Sequence, residues 1–94
     1  MNLAKAQKRL AKLHKQGMHG YPLIEVHYYA GSNQTAEVMT VSLTSEAGAT
    51  PYMERFTSSS DIREDHVMQT TLLKIIERTQ AQSVQIYPEL LASQ

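Results

Sequence analysis

Leucine and alanine recur at spacings of three and four over residues 2–16, while the cations of this segment lie off that series. This periodicity is typical of a helix with one apolar stripe, here formed by Leu3, Ala6, Leu10 and Leu13. Asn2 is a suitable N-cap, and Gly17 is suited to the position just beyond the last turn. The pattern therefore predicts a first helix with one buried face.

Three later segments, residues 23–30, 35–44 and 52–57, alternate between apolar and polar side chains. Alternation with a period of two predicts half-buried β-strands. Residues 31–34 read Gly-Ser-Asn-Gln, which is turn material, so we expect the first two strands to pair as a hairpin.

The alternation also assigns side chains to faces. In the first strand it separates Ile24, Val26 and Tyr28 from Leu23, Glu25, His27 and Tyr29. In the second it separates Met39, Val41 and Leu43 from Ala36, Val38, Thr40 and Ser42. In the third it leaves open which set is buried, Tyr52, Glu54 and Phe56 or Met53, Arg55 and Thr57.

A second helix is predicted over residues 61–79, where Asp61 and Glu64 have the spacing of a capping box. Its apolar side consists of Met68, Leu72, Ile75 and Ile76. Residues 83–87 predict a short fourth strand with Val84 and Ile86 inward. Proline has no N–H group to donate, so we expect Pro88 to end this strand and residues 88–94 to form a short tail.

The order of elements is thus α-β-β-β-α-β, which predicts an α+β fold of the two-layer sandwich type. We expect a mainly antiparallel four-stranded sheet with both helices on one face, because both apolar stripes must be buried. The chain is predicted to be a single domain over residues 1–94, divided into a basic helix (1–17), the sheet with the second helix (18–87) and the tail (88–94).

Composition narrows the classes of function. The chain has no cysteine, which excludes a disulfide scaffold, a cysteine nucleophile and a thiolate zinc site. No apolar run approaches the roughly 20 residues of a membrane-spanning helix, so we expect no membrane association and a cytoplasmic location.

The formal net charge of zero conceals two charged parts. The first 17 residues carry five cations and no acid, so their charge is +5 and that of the remaining chain is −5. A basic segment joined to an acidic body indicates interaction surfaces. The cations Lys5, Lys8, Arg9, Lys12 and Lys15 are candidates for binding nucleic acid, or for contacting an acidic body in the same or a neighbouring chain.

Two further groups are candidates for binding a protein. Glu25, His27 and Tyr29 share the outward face of the first strand, and Asp61, Glu64 and Asp65 form an acidic group at the start of the second helix. Helix capping alone explains these acids, although with His66 they could also make a crude divalent-metal site.

The four histidines lack metal-ligand spacing, and the chain has neither a nucleophile elbow nor a glycine-rich phosphate loop. We therefore predict no metal, no cofactor and no catalysis. The expected function is that of a small accessory protein acting by protein–protein contact, as a homodimer and as a regulator or inhibitor of a larger bacterial or phage complex. The alternative is a nucleic-acid-binding module that uses the first helix.

Overall fold

The part of the chain that the structure describes forms two α-helices and four strands in the order that the sequence predicts. The structure is a computed structural model that describes residues 2–17, 19–30, 35–58 and 60–91. Its elements are α1 (Leu3–Lys15), β1 (Leu23–Ala30), β2 (Ala36–Thr44), β3 (Tyr52–Thr57), a 3-10 turn (Ile62–Glu64), α2 (His66–Thr79) and β4 (Ser83–Leu91). The turn predicted at residues 31–34 lies outside the described residues.

The four strands form one sheet in the order β3-β2-β1-β4. β1 pairs with β2, and β2 with β3, in antiparallel fashion, whereas β4 pairs with β1 in parallel. Parallel neighbours need a long crossover connection, which α2 supplies. The prediction of a mainly antiparallel sheet is confirmed, and the hairpin pairing of the first two strands is confirmed with it.

Both helices pack on one face of this sheet, as predicted. Ile24 and Val26 of β1 and Met39 of β2 are completely buried in a single apolar core. α1 contributes Ala6 and Leu10 to the same core, and α2 contributes Leu72, Leu73, Ile75 and Ile76. The opposite face of the sheet is not covered by either helix.

The register between β2 and β3 decides the face that the sequence left open. Tyr52, Glu54 and Phe56 pair with Leu43, Val41 and Met39, so they point toward the helices. Phe56 packs against the core. Tyr52 stays largely exposed because β3 is an edge strand.

A register shift at the start of β2 reverses the predicted side of Ala36. Tyr29 pairs with Val38 while the next residue, Ala30, pairs with Ala36, so β2 contains an extra residue at this point. Because residue 37 is the extra residue of this bulge, Ala36 and Val38 on either side of it occupy opposite faces of the sheet. Ala36 is consequently buried in the core, and the prediction that it lies with Val38 is wrong.

The start of α2 also differs from the prediction. The capping box of Asp61 and Glu64 is absent, and α2 begins at His66 with Asp65 as its N-cap. The Asp65 carboxylate accepts a hydrogen bond from the Met68 N–H at 3.1 Å. Asp61 instead caps the 3-10 turn, which places Ile62 in the core before the helix begins.

Strand β4 continues past the point at which the sequence predicts its end. Tyr87 pairs with His27 and Leu90 pairs with Tyr28, so the backbone at positions 88 and 89 forms a bulge. Because β4 is an edge strand and the bulge interrupts the ladder, the missing N–H of proline is tolerated there. The tail predicted from residue 88 is therefore strand up to Leu91, and residues 92–94 lie outside the described part of the chain.

Among the described residues, no helix is both long enough and apolar enough to cross a membrane.

We expect that replacing Thr70, whose side-chain hydroxyl is buried without a hydrogen-bond partner among the described residues, stabilises the protein. Thr70→Val removes the unsatisfied hydroxyl and keeps the branched shape, so we expect the free energy of unfolding to rise by about 1 kcal/mol. The matched control is Thr71→Val, because the Thr71 hydroxyl donates to the Val67 carbonyl at 2.7 Å. Urea denaturation of both variants checks this, and equal effects would contradict it.

Candidate functional site

The sheet face opposite the helices, called the open face below, carries side chains of all four strands. The register places Tyr87, His27, Thr40 and Arg55 in one row across the sheet. The rings of His27 and Tyr87 are stacked, with centroids 4.6 Å apart and planes inclined by 13°. Glu25, Ser42 and Met53 form the next row, and Tyr29 lies beside Leu91.

Small polar side chains occupy the middle of the open face. Thr40 and Ser42 are buried although no helix covers them, because longer side chains of β1 and β3 flank them. Apolar and aromatic groups stand out around them: Met53 is 61% exposed, Leu91 40% and Tyr87 36%. The open face is therefore a broad surface of mixed polar and apolar character.

The structure brings the first predicted protein-binding set together. Glu25, His27 and Tyr29 lie side by side on the open face, each half-buried. Met53, Tyr87 and Leu91, which the predicted set does not contain, extend this surface. For Tyr87 the sequence carries a signal, since Val84 and Ile86 are predicted inward and alternation then points residue 87 outward.

The second predicted set does not join this surface. Asp61, Glu64 and Asp65 lie in and beside the 3-10 turn, which follows β3 and sends Ile62 into the core on the helix side. Asp65 accepts hydrogen bonds from the Met68 N–H and from the Ser58 hydroxyl. Two of the three acids thus serve local structure, and Glu64 is the one of the three whose side chain is exposed.

Asp61 is bound by its neighbour Arg63 at three points. Its carboxylate accepts from the Arg63 backbone N–H at 3.0 Å, from Nε at 2.9 Å and from Nη2 at 2.6 Å. The hydrogen bonds from the Arg63 side chain hold the pKa of Asp61 below its usual value. These bonds fix the 3-10 turn and leave little of this carboxylate available to a partner.

The five cations of α1 lie together on the solvent side of the helix. At 100° per residue they fall within an arc of about 120°, opposite the stripe that enters the core. All five are exposed. Arg9 alone has a carboxylate within 4 Å among the described residues, at 3.9 Å from Nε to the Glu77 Oε1. The members of this surface, called the basic face below, are Lys5, Lys8, Arg9, Lys12 and Lys15.

A groove of about 300 Å³ lies between α1, the 3-10 turn and β4. Most of its polar side chains already bind protein atoms. Gln7 donates to the Arg63 carbonyl at 2.9 Å, and His14 Nδ1 accepts the Ile86 N–H at 2.8 Å. Burial raises the pKa of the Tyr28 hydroxyl, which Gln69 approaches at 3.5 Å. Gln7 and His14 thus join α1 to the turn and to β4, while Gln69 joins α2 to β1.

In the described part of the chain, no three histidine or acidic side chains are grouped so that they could hold a metal ion.

The lowered pKa of Asp61 predicts a pH-dependent contribution to stability. Its ionised form is favoured by folding, so the contribution is present above the ordinary aspartate pKa of about 4 and is lost as the pH falls through the lowered value. We expect the difference in unfolding free energy between the wild type and Asp61→Asn to be largest near neutral pH and to shrink on acidification. Denaturation from neutral to acidic pH measures this, with exposed Glu46→Gln as control. A constant difference would contradict it.

We expect substitutions of the neighbouring acids Glu64 and Asp65 to have unequal effects on stability. Asp65→Ala removes the N-cap of α2, so we expect a loss of about 1 kcal/mol in unfolding free energy. Glu64→Ala removes an exposed carboxylate, so we expect a change of less than about 0.5 kcal/mol. Thermal denaturation of both variants checks this, and similar losses would show that capping is not what Asp65 contributes.

Comparisons of the chain with protein-family models, with curated proteins and with solved structures found no match.

Proposed function

We propose that this chain is a small, non-catalytic, cytoplasmic accessory protein that acts through protein–protein contact on its open face. The observation that carries this proposal is the presence of Met53, Tyr87 and Leu91 as exposed apolar groups on the one sheet face that neither helix covers. Apolar groups gathered on one surface are typical of interaction sites, since their burial against a partner is favourable.

The kinds of side chain on the open face support a protein partner. Tyrosine, methionine and arginine are enriched at protein interfaces, and Tyr29, Tyr87, Met53 and Arg55 all lie on this face. The two tyrosines and Met53 have large apolar bodies and few polar atoms, so a protein surface can bury them at little polar cost, whereas the Arg55 guanidinium needs an acceptor on the partner. Thr40 and Ser42 between them keep the middle of the face flat.

A second copy of the same chain is the partner that we propose for this face. Glu25 and Arg55 give the open face one acid and one base, so two copies meet without net repulsion. The four strands lie about 4.8 Å apart and are about eight residues long, so the open face has an area on the order of 500 Å² in each copy. A symmetric dimer buries that area twice, close to the lower limit for a specific interface.

We also propose that the protein regulates or inhibits a larger bacterial or phage complex. In that role the dimer would be the working unit. The exposed Glu64 beside the 3-10 turn would remain accessible to a further partner, because it lies on the helix side and not on the open face.

The oligomeric state tests the proposed surface. We expect sedimentation equilibrium to give a dimer for the wild type and a monomer for the double variant Met53→Glu, Tyr87→Glu, whose new carboxylates would be buried at the interface. The dissociation constant of the dimer should rise at least about tenfold, which corresponds to roughly 1.4 kcal/mol. Circular dichroism verifies that the variant keeps its fold.

The matched control is the double variant Tyr52→Glu, Val67→Glu. Both residues are large, apolar and about as exposed as Met53, but neither lies on the open face. We expect this control to remain a dimer. A wild-type protein that stays monomeric at millimolar concentration would overturn the proposal, and so would a dimer that survives both double variants.

A further inference from the structure

The basic face of α1 is unusual in carrying cations without any acid. The helix has no acidic residue in its first turn, where acids are favoured by the helix dipole. Its exposed side carries Lys5, Lys8, Arg9 and Lys12, followed by Lys15. A solvated helix face more commonly mixes both signs of charge, which provides stabilising pairs.

This arrangement destabilises the isolated helix. Lys5 lies three and four residues from Lys8 and Arg9, and Lys12 lies three or four residues from Lys8, Arg9 and Lys15. Like charges at these spacings repel one another on a helix, and a cation near the N-terminus also opposes the dipole. The dipole does favour Lys12 and Lys15, which lie in the last turn, so it is the cations of the first two turns, Lys5, Lys8 and Arg9, that folding by itself does not favour.

The rest of the described chain offers little compensation. The contact of Arg9 with Glu77 is long, at 3.9 Å, and both side chains are more than half exposed. An exposed pair of this kind contributes little to stability. The four lysines of the basic face have no carboxylate within 4 Å among the described residues.

The helix that carries these cations is nevertheless held firmly. Ala6 and Leu10 are buried in the core on its opposite side. Gln7 donates to the Arg63 carbonyl, and the Ile86 N–H donates to His14. The cations are thus presented on a fixed support, and a ligand would not have to order the helix in order to bind them.

We propose that the basic face binds the phosphate backbone of a nucleic acid. Lys5 and Lys15 are separated by about 15 Å along the helix axis, so the charges form a line instead of converging on one point. A single phosphate needs converging donors, whereas a chain of phosphates matches a line of flexible cations. The binding is electrostatic and independent of base sequence, since the long aliphatic stems let each charged group follow the phosphate backbone.

The distribution of apolar residues argues for nucleic acid over an anionic membrane. A helix that lies on a bilayer inserts an apolar face beside its cations. In α1 the apolar side chains Ala6 and Leu10 are buried beneath the helix and point into the core. Ala4 and Ala11 are the exposed apolar residues of α1 that border the basic face, and their methyl groups offer little surface for insertion.

The salt dependence of binding gives a quantitative test with the full chain. The probes are a fluorescently labelled duplex DNA and a single strand of the same length, each of arbitrary sequence. If all five cations contact phosphates, log K should fall against log salt with a slope of about −4.5 for the duplex and about −3.5 for the single strand. Raising the salt from 50 to 200 mM should then weaken duplex binding on the order of 500-fold.

Charge variants locate the binding to α1. We expect the triple variant Lys8→Gln, Lys12→Gln, Lys15→Gln to reduce the slope for the duplex to about −2 and to weaken binding on the order of 100-fold at 100 mM salt. The triple variant with arginine at the same positions should bind as the wild type does. The variant Lys74→Gln, Arg78→Gln removes two exposed cations of α2 and should leave the slope unchanged.

Three outcomes would overturn this proposal. They are the absence of binding to either probe at 50 mM salt, binding that the glutamine variant does not weaken, and binding to phosphatidylserine vesicles without binding to the nucleic acids. Because Met53→Glu, Tyr87→Glu changes the open face and not the basic face, loss of the dimer and loss of nucleic-acid binding are separable results.

Discussion

Ile24, Val26 and Met39 are completely buried because α1 and α2 lay their apolar stripes across the same face of the sheet. In a chain of 94 residues this one layer of contact has to supply most of the hydrophobic stabilisation. Placing both helices on one side concentrates that burial. It also produces the two surfaces on which function is proposed, since the sheet keeps one face free and α1 turns its cations outward.

Polar side chains join the ends of the elements to this core. Ser83, almost completely buried at the start of β4, donates to the Gly20 carbonyl and accepts the His19 N–H, both at 2.7 Å. These bonds fix the connection between α1 and β1 against the sheet. At the outer side of β4, His14 accepts the Ile86 N–H, which an edge strand would otherwise present to solvent or to another strand. The histidine therefore has a structural role that its position in the sequence did not indicate.

Local pattern predicted the regular elements well. The bounds of β1 and β3 agree with the alternation, and α1 begins after Asn2, whose side chain accepts the Lys5 N–H at 2.8 Å, and ends before Gly17, which has a positive φ of 76°. The predictions are wrong where contacts between distant segments determine the backbone conformation. The bulge at Ala36 depends on pairing with β1, and the strand beyond residue 87 depends on a parallel neighbour more than 50 residues away in the chain. A capping motif likewise cannot show that Asp61 binds Arg63 while Asp65 begins the helix.

The sequence by itself determined the order of elements, the apolar stripes and the separation of charge into a basic segment and an acidic body, because each of these depends on neighbours within a few residues. Only the tertiary structure decided that Glu25, His27 and Tyr29 share a face with Tyr87 and Met53, since strand order and register are set by contacts between distant segments. It also separated Asp61 and Asp65 from that face by engaging them in the turn before α2. The open face is therefore a consequence of how the strands pair. The positions of the charged residues, in contrast, are evident from the sequence.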